Sequence, residues 1–123
     1  MLDTSYVIKL IKQDTLIELS KKYDLYITII NLYELVRGDV LAGFDAKDSK
    51  KDYEKVFMVL HFDNRAMIKA SEIYAVLRRK GKLIDERDLM VGAICLSNNL
   101  PLATLNKKHF DRLKQFGLKL VDI

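Results

Sequence analysis

Cysteine is almost missing from this chain, with Cys95 the single instance in 123 residues, so no intramolecular disulfide can form. Cys95 falls on an apolar helical face and reads as a small buried hydrophobe rather than a nucleophile. Proline occurs once, tryptophan not at all, and the five glycines are scattered. That leaves no linker, no internal repeat and no low-complexity segment. No apolar run is long enough to cross a bilayer and no signal peptide opens the sequence, so the expected compartment is the cytoplasm, with no membrane partner.

What is present points to a single packed domain. Half of the residues are hydrophobic, enough for one domain spanning 1–123 with a real core. The 21 basic and 17 acidic side chains give a net charge of +4, which leans toward a polyanionic partner without establishing one.

The chain is organised around Gly81 to Asp111. Leu89, Met90, Ala93, Ile94 and Leu96 recur at spacings of three and four, so Glu86 to Asn98 is expected to be a helix with a wide buried face. Gly92 and Ala93 are expected to let it lie close against a sheet. Asp85 suits the N-cap, and Asp88, three residues on, falls in the first turn, where a carboxylate serves either as a cap or as part of a site. Pro101 to Thr104 is a short strand, so Asp88 and Thr104-Leu105-Asn106 meet at its C-terminal edge.

The rest of the chain alternates in the same way. Asp3 follows a stub of strand and precedes a helix that Ser5 can cap, with Tyr6, Ile8, Leu10 and Ile11 as its packing residues. Asp14 to Tyr23 is a second helix, and Leu25 to Ile30 is the clearest buried strand. Asn31 is expected to cap the next helix, with Glu34 at capping-box spacing and Gly38 at the end. Asp39 to Lys51 is a mobile connection or short helix, Asp52 to Val59 a helix, and Leu60 to Phe62 a brief strand. Asn64 to Lys80 is a long helix with Met67, Ala70, Ile73, Tyr74 and Leu77 inward. Lys107 to Phe116 is a last helix and Leu118 to Val121 a last strand. This alternation implies an α/β three-layer sandwich with a mostly parallel central sheet.

In such sheets ligands bind beyond the carboxyl ends of the strands. That edge collects Asp3, Glu34, Asp88 and Asn106. Three converging carboxylates repel, so they take raised pKa values or hold a cation. Oxygen ligands without His or Cys partners suit a hard divalent ion, Mg²⁺ or Mn²⁺.

The opening D-T-S, the N-L-Y-E-L-V-R-G segment, the R-D-L-M-V-G-A-I-C-L-S-N-N-L-P-L-A-T run and the T-L-N-K-K-H-F ending resemble the successive motifs of PIN domains, specifically the small VapC-type toxins, over nearly the whole chain. The resemblance implies an α/β sandwich, a metal-dependent endoribonuclease acting on RNA, a cognate antitoxin and a homodimer. It matches Asp3, Glu34 and Asp88 to the acidic metal ligands, Thr104 and Asn106 to a T-x-D/N pair completing the site, and Ser5 to a small hydroxyl beside the first Asp. Two departures stand out. Only Met1 and Leu2 precede Asp3, as a late start codon or trimming would leave, and the fourth acidic position holds the neutral Asn106.

Phosphodiester hydrolysis needs an activated water and neutralisation of phosphate charge, which a carboxylate-held metal supplies. No histidine falls in the acidic cluster; His61 and His109 read as structural or solvent-exposed. Asp85 is the N-cap or a supporting carboxylate, and Asp111 a surface charge. Arg37, Lys107, Lys108 and Arg112 are placed to bind RNA phosphates or to form solvated surface. Tyr33, Phe44, Tyr53 and Phe57 are candidates for partner surfaces or for core. A phosphatase of the haloacid dehalogenase type would need a second Asp where Ser5 stands, and the acids of a receiver domain cannot be assembled in order. The remaining alternative is a non-catalytic PIN-like module that binds RNA or protein.

Overall fold

The computed structural model describes residues 1–123, and its centre is a parallel sheet of very short strands. β1 (Tyr26–Thr28) pairs in parallel with β2 (Met58–Leu60), Ile27 opposite Val59. On the other side of β1 the Leu2 amide donates to the Tyr26 carbonyl at 2.8 Å, Leu2 bridges Ala103 in parallel, and Leu102 bridges Leu120 in parallel. The spatial order is therefore β2, β1, the N-terminal segment, Leu102–Ala103 and Leu120. The two-residue stub before Asp3 lies in the middle of the sheet. The Asp3 amide donates to Ala103, the Ala103 amide to Met1, and the Met1 ammonium to Pro101. Hydrogen bonds on both sides thus fix a segment too short to be stable alone.

Alternation along these strands divides the core in two. Met1, Tyr26, Leu60 and Leu102 face one hydrophobic cluster, and Leu2, Ile27, Val59 and Ala103 the other. The first is filled by Ala70, Ile73 and Leu77 of α5 (Asn64–Arg79), by Leu89, Ala93 and Ile94 of α6 (Glu86–Ser97), and by Phe110 and Leu113. The second is filled by Tyr6, Val7 and Leu10 of α1 (Thr4–Lys12), Leu16 of α2 (Leu16–Lys22), and Leu32 and Leu35 of α3 (Ile29–Leu41). Helices on both faces of a parallel sheet give the expected three-layer α/β sandwich.

Several boundaries differ from the sequence-based expectation, each for a local reason. Ile29 and Ile30 belong to α3, not to β1, because Thr28 caps the helix: its hydroxyl accepts from the Asn31 amide at 3.1 Å, and Asn31 Oδ1 accepts from the Thr28 amide at 3.0 Å. This capping box overrides the strand preference of two isoleucines. Gly38 does not end α3, which runs three residues further; Gly43, at φ 98°, follows it. Asp45 caps α4 (Ala46–Val56) by accepting from the Asp48 amide, so of the two alternatives for Asp39 to Lys51, mobile connection or short helix, a helix takes its second half, and β2 falls two residues early. After α7 (Lys107–Phe110) the chain tightens into a 3₁₀ helix over Asp111–Phe116, and the last strand is reduced to the Leu120 bridge. Ile8, Ile11 and Met67 are exposed, with Val7 and Ala66 inward in their place. A Cβ on Gly92 would collide with the Leu113 side chain, so the close approach expected there is to the 3₁₀ helix rather than to the sheet. No helix is long and apolar enough to cross a membrane.

Candidate active site

Asp3 sits at the N-cap of α1 with extended backbone angles, yet its side chain does not cap the helix. It is 0% exposed, and both of its oxygens are held from elsewhere. Oδ1 accepts from Asn31 Nδ2 at 3.0 Å and from Arg87 Nη2 at 2.6 Å, and Oδ2 accepts from the Thr104 hydroxyl at 2.8 Å. Burying a carboxylate is tolerable only with such complete pairing.

Glu34 projects from the second turn of α3. Its Oε1 accepts from the Thr4 hydroxyl at 2.6 Å and from Arg87 Nη2 at 2.7 Å, and Oε2 from Arg87 Nε at 3.1 Å, a two-pronged guanidinium–carboxylate pair. Asp88 stands in the first turn of α6 but does not cap it. Asp85 does, accepting from the Arg87 amide at 2.8 Å. Asp88 is 6% exposed; its Oδ1 accepts from Arg87 Nη1 at 3.0 Å, and its Oδ2 lies 3.5 Å from His109 Nδ1.

The three expected acids therefore meet at the C-terminal sheet edge, and they meet around Arg87. Sequence reasoning passed over this residue. Its signal was a basic side chain at the second helical position between Glu86 and Asp88, where the helix dipole disfavours a cation. Asn31 was expected as the N-cap; it is the third residue of the Thr28 capping box and holds Asp3 as well, and Thr4, bonded to Glu34 and Asn31, was not singled out.

Ser5 and Thr104 form a supporting layer. Their hydroxyls lie 3.4 Å apart, Ser5 Oγ accepts from the Leu105 amide at 3.1 Å, and Thr104 Oγ1 accepts from the Asn106 amide at 3.0 Å. Asn106 is at the N-cap position of α7 without a side-chain capping bond. The residue lines an open crevice of about 450 Å³ together with Glu34, Asp85, Arg87, Asp88 and His109. His109 is exposed, as expected, yet it faces this crevice. The four basic residues expected around it do not line it. Lys107 turns to Asp122 at 2.9 Å, Arg112 donates to the Leu83 carbonyl, Arg37 lies over the Tyr33 ring at 5.1 Å, and Lys108 is solvent-exposed.

The electrostatics follow the contacts. Burial alone would raise the Glu34 pKa, but hydrogen bonds from Arg87 and Thr4 and the charges of Arg87 and Arg37 hold it below the usual value. At Asp88 burial wins: the carboxyl is raised, with Arg87 and His109 offsetting only part and Asp85 adding to it. Burial also works against the Arg87 cation, but bonds to Glu34 and Asp3 raise its pKa further. Expected mutual repulsion is thus met by an internal cation, and Glu34 and Asp88 shift in opposite directions.

The donor set fits a hard divalent ion in type, being carboxylate oxygen with a neutral amide beside it. As they stand, no three acidic or histidine side chains come close enough to share an ion, because the guanidinium lies among them.

The PIN domain family model matches residues 1–115. Ribonuclease VapC1 of Methanocaldococcus jannaschii is 36% identical over 122 residues, covering 99% of this chain and 86% of that protein. The fold is similar to that of VapBC from Salmonella typhimurium, solved bound to DNA, with a TM-score of 0.77 and 27% identity over 99% of this chain and 96% of that one. It is similar also to that of VapBC-1 from nontypeable Haemophilus influenzae, with a TM-score of 0.79 over 99% of this chain and 96% of that one; at 24% identity this likeness concerns the fold alone.

Proposed function

The chain belongs to the PIN domain family, and from that premise we propose that it is a metal-dependent endoribonuclease, the toxin of a VapBC-type pair. The observation that carries this is the meeting of Asp3, Glu34 and Asp88, from three separate elements, on one cationic group at the C-terminal sheet edge. Mg²⁺ or Mn²⁺ would be held by these three carboxylates with the amide oxygen of Asn106 beside them. Bound there, such an ion lowers the pKa of water and neutralises charge on a phosphodiester.

The chain's own residues set the stage for that chemistry. Asn31 and Thr104 fix the Asp3 carboxylate from two sides, so that its orientation is set before any ion arrives. Thr4 orients Glu34, and Ser5 with Thr104 sets the backbone that presents Asn106 to the crevice. The net charge of +4 favours approach of a polyanion.

Partners belong to the same proposal. The relative's name and the VapBC complexes support a cognate antitoxin and RNA as substrate, and the chain is proposed to be a homodimer. Among the aromatic residues considered for partner contact, Phe57 is core and Tyr53 half-buried, whereas Tyr33 and Phe44 are exposed, as is Leu41 at 84%. Tyr33, Leu41 and Phe44 are the ones we assign to a partner surface.

A second reading, a non-catalytic module that binds RNA or protein, is favoured by one observation: Arg87 already pairs with all three acids without a metal. Incubation with total cellular RNA in Mg²⁺, in Mn²⁺ and in excess EDTA separates the two. Cleavage that depends on the cation is expected; intact RNA in all three, with the protein folded, establishes the module.

A further inference from the structure

We propose that Arg87 is a built-in counter-cation that competes with the divalent ion for the same carboxylate oxygens, and that it must release them into the crevice for the ion to bind. This rests on the reading of Asp3, Glu34 and Asp88 as metal ligands. The guanidinium takes Asp3 Oδ1 at 2.6 Å, Glu34 Oε1 at 2.7 Å, Glu34 Oε2 at 3.1 Å and Asp88 Oδ1 at 3.0 Å, and lies 3.5 Å from the Thr4 hydroxyl. The oxygens left over are engaged too: Asp3 Oδ2 accepts from Thr104, and Asp88 Oδ2 faces His109. No ligand carboxylate has a free pair of oxygens while Arg87 is in place.

Charge and route both permit the exchange. Three carboxylates and one guanidinium sum to a formal −2 (−3 and +1), so a divalent ion brings the cluster to neutrality with Arg87 still nearby. Two cations cannot share the same oxygens at contact distance without strong repulsion, so Arg87 must swing rather than stay. Its side chain is 26% exposed and borders the open crevice, whereas its backbone is fixed at the start of α6 by the Asp85 cap. A long flexible stem on an anchored backbone can move its head group alone. In the metal-free protein the same residue prevents two buried acids, Asp3 and Asp88, and the partly buried Glu34 from facing one another unpaired.

Mn²⁺ titration calorimetry on the parent protein and on Arg87→Gln tests this, with thermal unfolding of each measured with and without Mn²⁺. Arg87→Gln is expected to bind Mn²⁺ at least roughly tenfold more tightly, about 1.4 kcal/mol, to melt lower than the parent without metal, and to gain more from Mn²⁺. In the unmutated protein, saturating Mg²⁺ is expected to shift the Arg87 Nε–H NMR signal, a readout that stands if the variant fails to fold. Equal or weaker binding by folded Arg87→Gln, or an unmoved Nε–H signal in a protein that binds Mg²⁺, overturns the competition and leaves the metal site intact. No binding by either protein overturns both.

Discussion

Asn31 donates to Oδ1 of Asp3 at 3.0 Å while its own Oδ1 accepts from the backbone amide and the hydroxyl of Thr28. One fully buried carboxamide thereby joins the start of α3 to the first carboxylate of the site. The capping box is usually a local device; here its third residue reaches across to the N-terminal strand, so the entry angle of α3, which also carries Glu34, is tied to the position of Asp3.

Asn31→Ala should therefore act on stability and function together. The Thr28 amide loses its acceptor and Asp3 one of its donors, for a loss of about 1–3 kcal/mol, and cleavage should fall roughly 10- to 100-fold. Asn31→Asp should be worse than Ala, since it sets a second buried carboxylate against Asp3. Urea unfolding of both variants is the check, and an unchanged midpoint for Asn31→Ala would show the link to be idle.

The contrast between Asn31 and Glu34 shows what the sequence made legible. The pattern N-x-x-E at Asn31 and Glu34 reads as a cap, and the isoleucines between Thr28 and Asn31 argued for strand, so the cap that forms on Thr28 was hidden. Deciding needed the register of Asp3 beside Tyr26, a long-range fact. The acids themselves could be placed because each follows a strand or opens a helix, and topology alone sends such positions to one edge. Arg87 could not be placed this way, because the reach and direction of a long side chain are set by the oxygens it finds.

Asp88→Asn should abolish metal-dependent cleavage, by more than the roughly 100-fold at the top of the range for groups that merely support a ligand. The fold should survive, because Asp85 rather than Asp88 caps α6 and the amide still accepts from Arg87. Circular dichroism and an RNA cleavage assay on the same sample are sufficient, and undiminished cleavage by the folded variant would remove Asp88 from the site.

Cys95 gives a prediction at alkaline pH. Burial pushes its thiol from 9.0 to about 12, so above pH 9 the unfolded chain releases a proton that the folded one retains. The folded state is then progressively disfavoured between about pH 9 and 12, by up to about 1.4 kcal/mol per pH unit from this group. Cys95→Ala should start less stable at neutral pH but show a shallower alkaline decline in denaturant midpoint. A thiol reagent should label the parent protein only after unfolding, and rapid labelling of the native protein would contradict its burial.

Asn106 separates a ligand from a cap. Its side chain makes no capping bond to α7; its backbone amide is held by Thr104, and the residue lines the crevice with Glu34 and Asp88. A helix of four residues gains little from a cap, so Asn106→Ala should leave the melting temperature without metal nearly unchanged, within about 0.5 kcal/mol. The metal isotherm should respond instead. Asn106→Ala removes a neutral oxygen and should weaken binding, less than Asp88→Asn does, because a charged ligand contributes more to a hard cation. Asn106→Asp restores a fourth negative charge and should tighten binding, while raising repulsion among the acids when metal is absent. Asp is as good an N-cap as Asn, so stability of Asn106→Asp alone decides nothing, and the alanine variant carries the distinction. If Asn106→Ala melts lower by several degrees while calorimetry gives the parent's metal affinity, Asn106 is a structural residue and the site ends at its three carboxylates.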